Sequence, residues 1–125
     1  MAQDVLIVDD DYGMREILGS VCSMIDVPYR CATHGAEALR EVAAAHPSLI
    51  LLDLMMPVMS GQEVLCHLKA APDTAQIPVI IFTAAVLTQR QISELPVPES
   101  MILFKSSLSL DDIRDAIVTG LKLVA

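Results

Sequence analysis

Apolar and polar positions fall in blocks along this chain, and the blocks change period in a regular order. Val5 to Val8 is a β-branched, apolar run ending on Asp9, and beyond it Met14, Ile17, Leu18, Val21 and Ile25 recur at helical spacing. The pattern predicts a strand followed by a helix. Pro28 interrupts it, Tyr29 to Ala32 suits a short strand, and Ala36, Leu39, Val42 and Ala43 mark one face of a second helix that Pro47 closes. Leu49 to Leu52 is apolar at every position, as expected of a strand covered by helices on both faces, and Asp53 stands at its tip. Pro57 and Gly61 shape the next loop, and Ser60 with Glu63 has the form of a capping box opening a helix to about Ala71. A second wholly apolar strand, Pro78 to Phe82, ends in Thr83. A short helix is predicted over Val86 to Glu94, stopped by Pro96 and Pro98. Met101 to Phe104 forms the last strand, ending at Lys105, and Ser109 with Asp112 opens a final helix whose face carries Ile113, Ala116, Ile117 and Leu121.

Five strands alternating with five helices predict an α/β fold with a doubly wound parallel sheet, because right-handed crossovers place helices on both of its faces. Ligands of such sheets bind beyond the carboxyl ends of the strands. Asp9, Asp10, Asp53, Thr83 and Lys105 all stand at those ends, so the fold would gather them on one rim. Three carboxylates held together repel, and a hard divalent cation with oxygen ligands relieves the repulsion. Mg2+ fits best, since no His or Cys accompanies them. A carboxylate on Mg2+ facing a lysine and a hydroxyl is suited to in-line attack on phosphorus. In that scheme Asp53 is the nucleophile, Lys105 neutralises one phosphoryl oxygen and Thr83 donates a hydrogen bond to another. Asp11 is expected to cap the first helix.

Composition narrows the picture further. At 125 residues and 54% hydrophobic, residues 1–125 are long enough for one buried core and read as a single domain. A formal charge of -8 argues against direct contact with nucleic acid. Asp53 and Thr83 break the longest apolar stretches, and the amino terminus lacks a basic start, so a membrane segment or secretory leader is not expected and a cytoplasmic location is. Cys22, Cys31 and Cys66 share no metal or disulfide spacing and read as small buried hydrophobes. Met14, Met24, Met55, Met56, Met59 and Met101 read as gap-fillers, and His34, His46 and His67 carry no assigned role.

Jointly, Val8-Asp9-Asp10-Asp11, the run Asp53-Leu54-Met55-Met56-Pro57-Val58-Met59-Ser60-Gly61-Gln62-Glu63, Ile77 to Ala84 and Lys105 are highly specific. Over essentially its whole length the chain resembles the receiver domains of two-component response regulators. The resemblance implies a flavodoxin-like sheet of strand order 2-1-3-4-5. It also implies phosphorylation at Asp53 by a sensor histidine kinase or phosphotransfer protein. Mg2+ would be held by Asp10, Asp53 and the backbone carbonyl of Met55, with Asp9 acting through water, while Thr83 and Lys105 read the phosphoryl group. Output would go to a downstream protein, or to a second copy of the chain, through the face of the fourth helix, fifth strand and fifth helix. Self-phosphorylation and self-dephosphorylation would be its only chemistry.

Two positions and one segment depart from the family pattern. Ile102 stands where receivers often carry an aromatic switch residue, Ser106 replaces the proline that usually follows the lysine, and Leu95 to Pro98 replaces an Ala/Gly-rich approach to the last strand. Met55 and Ala85, at positions that tune phosphoryl lifetime in the family, cannot position an attacking water, which implies slow self-dephosphorylation. The alternative is a receiver fold that binds partners without phosphorylation. An aspartyl-phosphate phosphatase of the haloacid dehalogenase type would need a second Asp at position 55, where Met55 stands.

Overall fold

The computed structural model describes residues 3–122. In chain order its regular elements are β1 (Val5–Val8), α1 (Tyr12–Met24), β2 (Tyr29–Ala32), α2 (Gly35–Ala44), β3 (Leu49–Leu52), α3 (Gly61–Ala70), β4 (Val79–Thr83), α4 (Gln89–Glu94), β5 (Ile102–Phe104) and α5 (Leu110–Lys122). Two 3-10 turns, Glu99–Met101 and Lys105–Ser107, flank β5. The strands form one parallel sheet in the order β2-β1-β3-β4-β5, as the alternation of elements and the resemblance imply.

The pleat divides the core in two. Leu6, Val8, Ile50, Leu52, Val79 and Ile81 face one way, under α2 and α3. Val5, Ile7, Leu49, Leu51, Ile80 and Phe82 face the other, under α1 and α5. β1, β3 and β4 are buried at every position, which is why their sequences read as unbroken apolar runs. Each fully buried Leu, Ile or Phe contributes about 1.5–3 kcal/mol, so these three strands dominate the stability of the sheet. The edge strand β2 is fastened differently. Arg30 donates from Nε to Asp4 at 3.1 Å and from Nη1 to the carbonyl and carboxylate of Glu41, and its Nη2 reaches the carbonyl of Ala45. It thereby reinforces the end of α2, because the Glu41 carbonyl accepts the Ala45 amide as well as Arg30 and the Ala45 carbonyl lies just past the helix.

Several expectations change in detail. α4 begins at Gln89, not Val86, because Thr88 and Gln91 form a reciprocal capping box that fixes its start. Met101 closes a 3-10 turn, so β5 begins at Ile102. α1 buries Leu18, Val21 and Cys22 while Ile17 is exposed, and α2 buries Gly35, Ala38 and Val42 while Ala36 and Ala43 face outward. Only Cys22 among the cysteines is buried, and burial pushes its thiol up to about 11; Cys31 and Cys66 are exposed. Met24 and Met55 are exposed instead of filling gaps. His34 has a role after all: its Nδ1 accepts from the Glu37 amide at 3.2 Å and caps α2. Among the described residues no helix is long and apolar enough to cross a membrane.

Candidate functional site

Each residue of the predicted constellation leaves the sheet at the same rim. Asp9 follows β1, and the amide of Asp53 donates to the Val8 carbonyl at 3.0 Å, which ties the start of the loop after β3 to the neighbouring strand. Thr83 is the last residue of β4, and Lys105 follows β5 directly. The fold thus delivers a carboxylate, a hydroxyl and an ammonium from separate parts of the sequence to one edge.

Asp9, Asp10 and Asp53 each offer an oxygen within 4.8 Å of the others. Asp9 and Asp53 are 1% and 4% exposed, whereas Asp10 is open to solvent. Lys105 Nζ lies 2.8 Å from Asp9 Oδ2 and 3.4 Å from Asp53 Oδ2. Asp53 Oδ1 accepts from the Met55 amide at 3.1 Å. Burial raises the pKa of Asp53, with the charge of Asp9 adding to the rise; the Met55 amide and Lys105 oppose it without cancelling it. For Lys105 burial acts downward, but its bonds and charge contacts with Asp9 and Asp53 outweigh it and its pKa is raised. A group of acidic oxygens held at this separation, with one member exposed, has the hard-donor character that Mg2+ or Mn2+ takes.

Thr83 is wholly buried, and its Oγ1 accepts from the Ala85 amide at 3.0 Å, which leaves its hydroxyl proton to donate elsewhere. Asp11 caps α1 as expected, accepting from the Met14 amide at 2.9 Å, and its own amide donates to Asp9 Oδ1 at 2.9 Å. The loop after Asp53 turns sharply. Val58 adopts φ 69°, an uncommon conformation for a β-branched residue, and its side chain is fully exposed. Gly61 then starts α3 against Asp53 itself, where a Cβ would lie 2.1 Å from the Asp53 carbonyl oxygen. Among the described residues every buried side-chain nitrogen or oxygen has a partner.

Two contributors were not visible in the sequence pattern. Gly61 reads there only as a loop-former, yet its missing side chain is what admits α3 to the strand end. Arg15 carries no mark in the apolar pattern, and its Nη1 donates to the Asp9 carbonyl at 2.8 Å. The single cue to Arg15 is its place one turn into the helix that follows the paired aspartates. Ile102, 6% exposed, lies in the core with Ile81 and Leu95.

Residues 5–118 match the response regulator receiver domain. The chain belongs to that family. As a receiver it is a signalling module, not a conventional enzyme. It is 35% identical over 117 residues to the sporulation initiation phosphotransferase F of Bacillus subtilis (strain 168), spanning 94% of this chain and 92% of that protein. Other curated relatives are longer, and this receiver spans 32–40% of their length. Among solved structures it superposes on the signal receiver domain of a signal transduction histidine kinase from Syntrophus aciditrophicus, with a TM-score of 0.85 and 26% identity over 97% of this chain and 91% of the other. It also superposes on the Mn(2+)-bound form of the response regulator Rcp1, with a TM-score of 0.76 and 28% identity over 91% of this receiver and 88% of that chain.

Proposed function

We propose that this receiver accepts a phosphoryl group on Asp53 from a sensor histidine kinase or phosphotransfer protein, in a Mg2+-dependent reaction, and that phosphorylation changes its contacts with other proteins. The observation that carries this reading is the site itself: a buried Asp53 facing Lys105, with oxygens of Asp9 and Asp10 within 4.8 Å. An all-carboxylate donor set suits Mg2+, and the Rcp1 neighbour, whose structure is described as Mn(2+)-bound, supports a divalent ion. Asp10, Asp53 and the Met55 carbonyl would hold the ion, with Asp9 acting through water. When bound, the ion offsets the negative charge between Asp53 and the incoming phosphoryl oxygens.

The chain's own groups do the rest. An Asp53 carboxylate oxygen forms the new bond to phosphorus as the bond to the donor's leaving group breaks, and the leaving group departs with the bonding electrons. Lys105 is already within reach of Asp53 and can neutralise one phosphoryl oxygen. The Thr83 hydroxyl donates to another, giving up no existing bond because its oxygen only accepts from Ala85. The outward consequence falls on the face of α4, β5 and α5, which binds a downstream protein or a second copy of the chain.

The experiment is incubation with Mg2+ and a small acyl phosphate, read by intact mass. A gain of one phosphoryl group is expected from the native chain and none from Asp53→Asn; a gain that survives the substitution, or its absence altogether, sinks the reading. Followed over time without a phosphatase, the adduct should persist for minutes or longer, because the exposed thioether of Met55 and the methyl of Ala85 offer no group to orient water. Decay within seconds would contradict this.

A further inference from the structure

β1 and β2 end in register, and Asp9 lies one residue beyond the end of their ladder. The last ladder partner on β2 is Ala32, opposite Val8, and the Asp9 amide donates to the Ala32 carbonyl at 3.2 Å. In a parallel ladder the N–H and C=O of one residue face the same neighbour, so the Asp9 carbonyl also points to the β2 side. No ladder donor meets it there. Beyond Ala32 the chain turns into α2: the Thr33 amide is held by the Glu37 carboxylate, and His34 caps the helix. Asp9 is 1% exposed, so its carbonyl needs a partner from the protein, and Arg15 Nη1 supplies it. The guanidinium is steadied in turn by the ring of Tyr12, 5.8 Å from its carbon to the ring centroid.

The Asp9 carbonyl is half of the peptide that joins Asp9 to Asp10. The Asp9 side chain is oriented by the Asp11 amide and by Lys105, but among the described residues no hydrogen bond orients the Asp10 carboxylate. What the backbone fixes is where its side chain departs, and that peptide plane is the nearest support for the Asp10 Cα–Cβ bond. We infer that Arg15 is a positioning residue for the cation site, holding the Asp9–Asp10 peptide so that the Asp10 carboxylate is aimed at the metal. This rests on the reading that the carboxylate cluster takes Mg2+. Arg15 touches neither the acceptor nor any carboxylate oxygen; it acts through a backbone carbonyl.

The sign of the effect separates positioning from simple charge. Removing a cation near three carboxylates should tighten Mg2+ binding if only Coulomb forces matter. If Arg15 aims Asp10, its loss should weaken binding by about tenfold, as removal of groups that orient metal ligands commonly does. The test titrates Mg2+ into the full chain, following backbone amide NMR shifts for the wild type, Arg15→Gln, Arg15→Lys and Asp10→Asn. Arg15→Gln is expected to bind about tenfold more weakly and Arg15→Lys to fall between it and the wild type. An Arg15→Gln chain that folds and binds Mg2+ as well as the wild type, or better, overturns the inference. Should Arg15→Gln not fold, Arg15→Lys decides alone: weaker binding with the charge retained supports the positioning role, and wild-type affinity overturns it. A wild type that takes no Mg2+ would instead end the metal reading itself.

Discussion

The strand ends that carry Asp9 and Asp53 and the segment from α4 to β5 occupy the same sheet but are built by opposite means. β1 and β3 are buried at all four positions, paired to each other along their whole length, and followed by loops pinned through backbone bonds. α4 is six residues long, buries none of them, and is defined mainly by its Thr88–Gln91 capping box. β5 has three residues, and its approach runs through Pro96 and Pro98. The contrast assigns stiffness to the chemistry and looseness to the α4 side of the surface proposed to report it, while α5 stays anchored by Ile113, Ile117 and Leu121. A phosphoacceptor must present charged groups to within a fraction of an ångström, whereas an element that changes contacts is drawn from the low-stability end of a fold.

The comparison can be broken most forcefully at Gly61. Gly61→Ala places a methyl against the Asp53 carbonyl and Leu54 Cα, both backbone atoms that no rotamer change can clear. A loss of about 3–5 kcal/mol is expected in urea unfolding. A loss below about 1 kcal/mol would mean that the acceptor loop is as pliant as α4.

A smaller effect of opposite sign should come from Asp53→Asn in metal-free buffer. Because burial raises the pKa of Asp53 in the folded chain, the ionised carboxylate costs stability at neutral pH. That cost disappears as the pH falls through the raised value and is gone below the ordinary carboxylate range. The Asn variant should therefore unfold at a higher temperature than the wild type at pH 7, with the gap closing on acidification. A gap that widens on acidification would reverse the sign of the electrostatic argument.

The smallest expected effect tests the other region. Thr88→Ala removes a cap worth about 1 kcal/mol, but from a helix with no fully buried residue and only Ile92 partly packed on the core, so the loss should stay local. Hydrogen exchange should quicken for the α4 amides while global unfolding shifts by less than about 0.5 kcal/mol. A global shift of the full cap value would show that α4 belongs to the same cooperative unit as the acceptor strands.

How much of this was legible in the sequence follows the same division. The runs Val5 to Val8, Leu49 to Leu52 and Pro78 to Phe82 announce buried strands because they are apolar on both faces and too short for buried helices, and the polar residue after each run marks the rim. The α4 start was misplaced because Val86 and Leu87 extend the apolar pattern backward, while the box at Thr88 uses Gln in place of the more familiar Glu. The buried faces of α1 and α2 are hard to read where Ala and Ile occur on both sides of a helix, since period alone cannot say which side meets the sheet. Arg15 escaped notice because its partner is a backbone carbonyl, which leaves no trace in residue type.

Gly61 has a mechanical meaning beyond the space it vacates. With no side chain between them, the first turn of α3 rests on the main chain of the acceptor like a rod bearing on a hinge pin. No rotamer can absorb a displacement there. A shift of the first turn of α3 toward the sheet would therefore press directly on the backbone of Asp53.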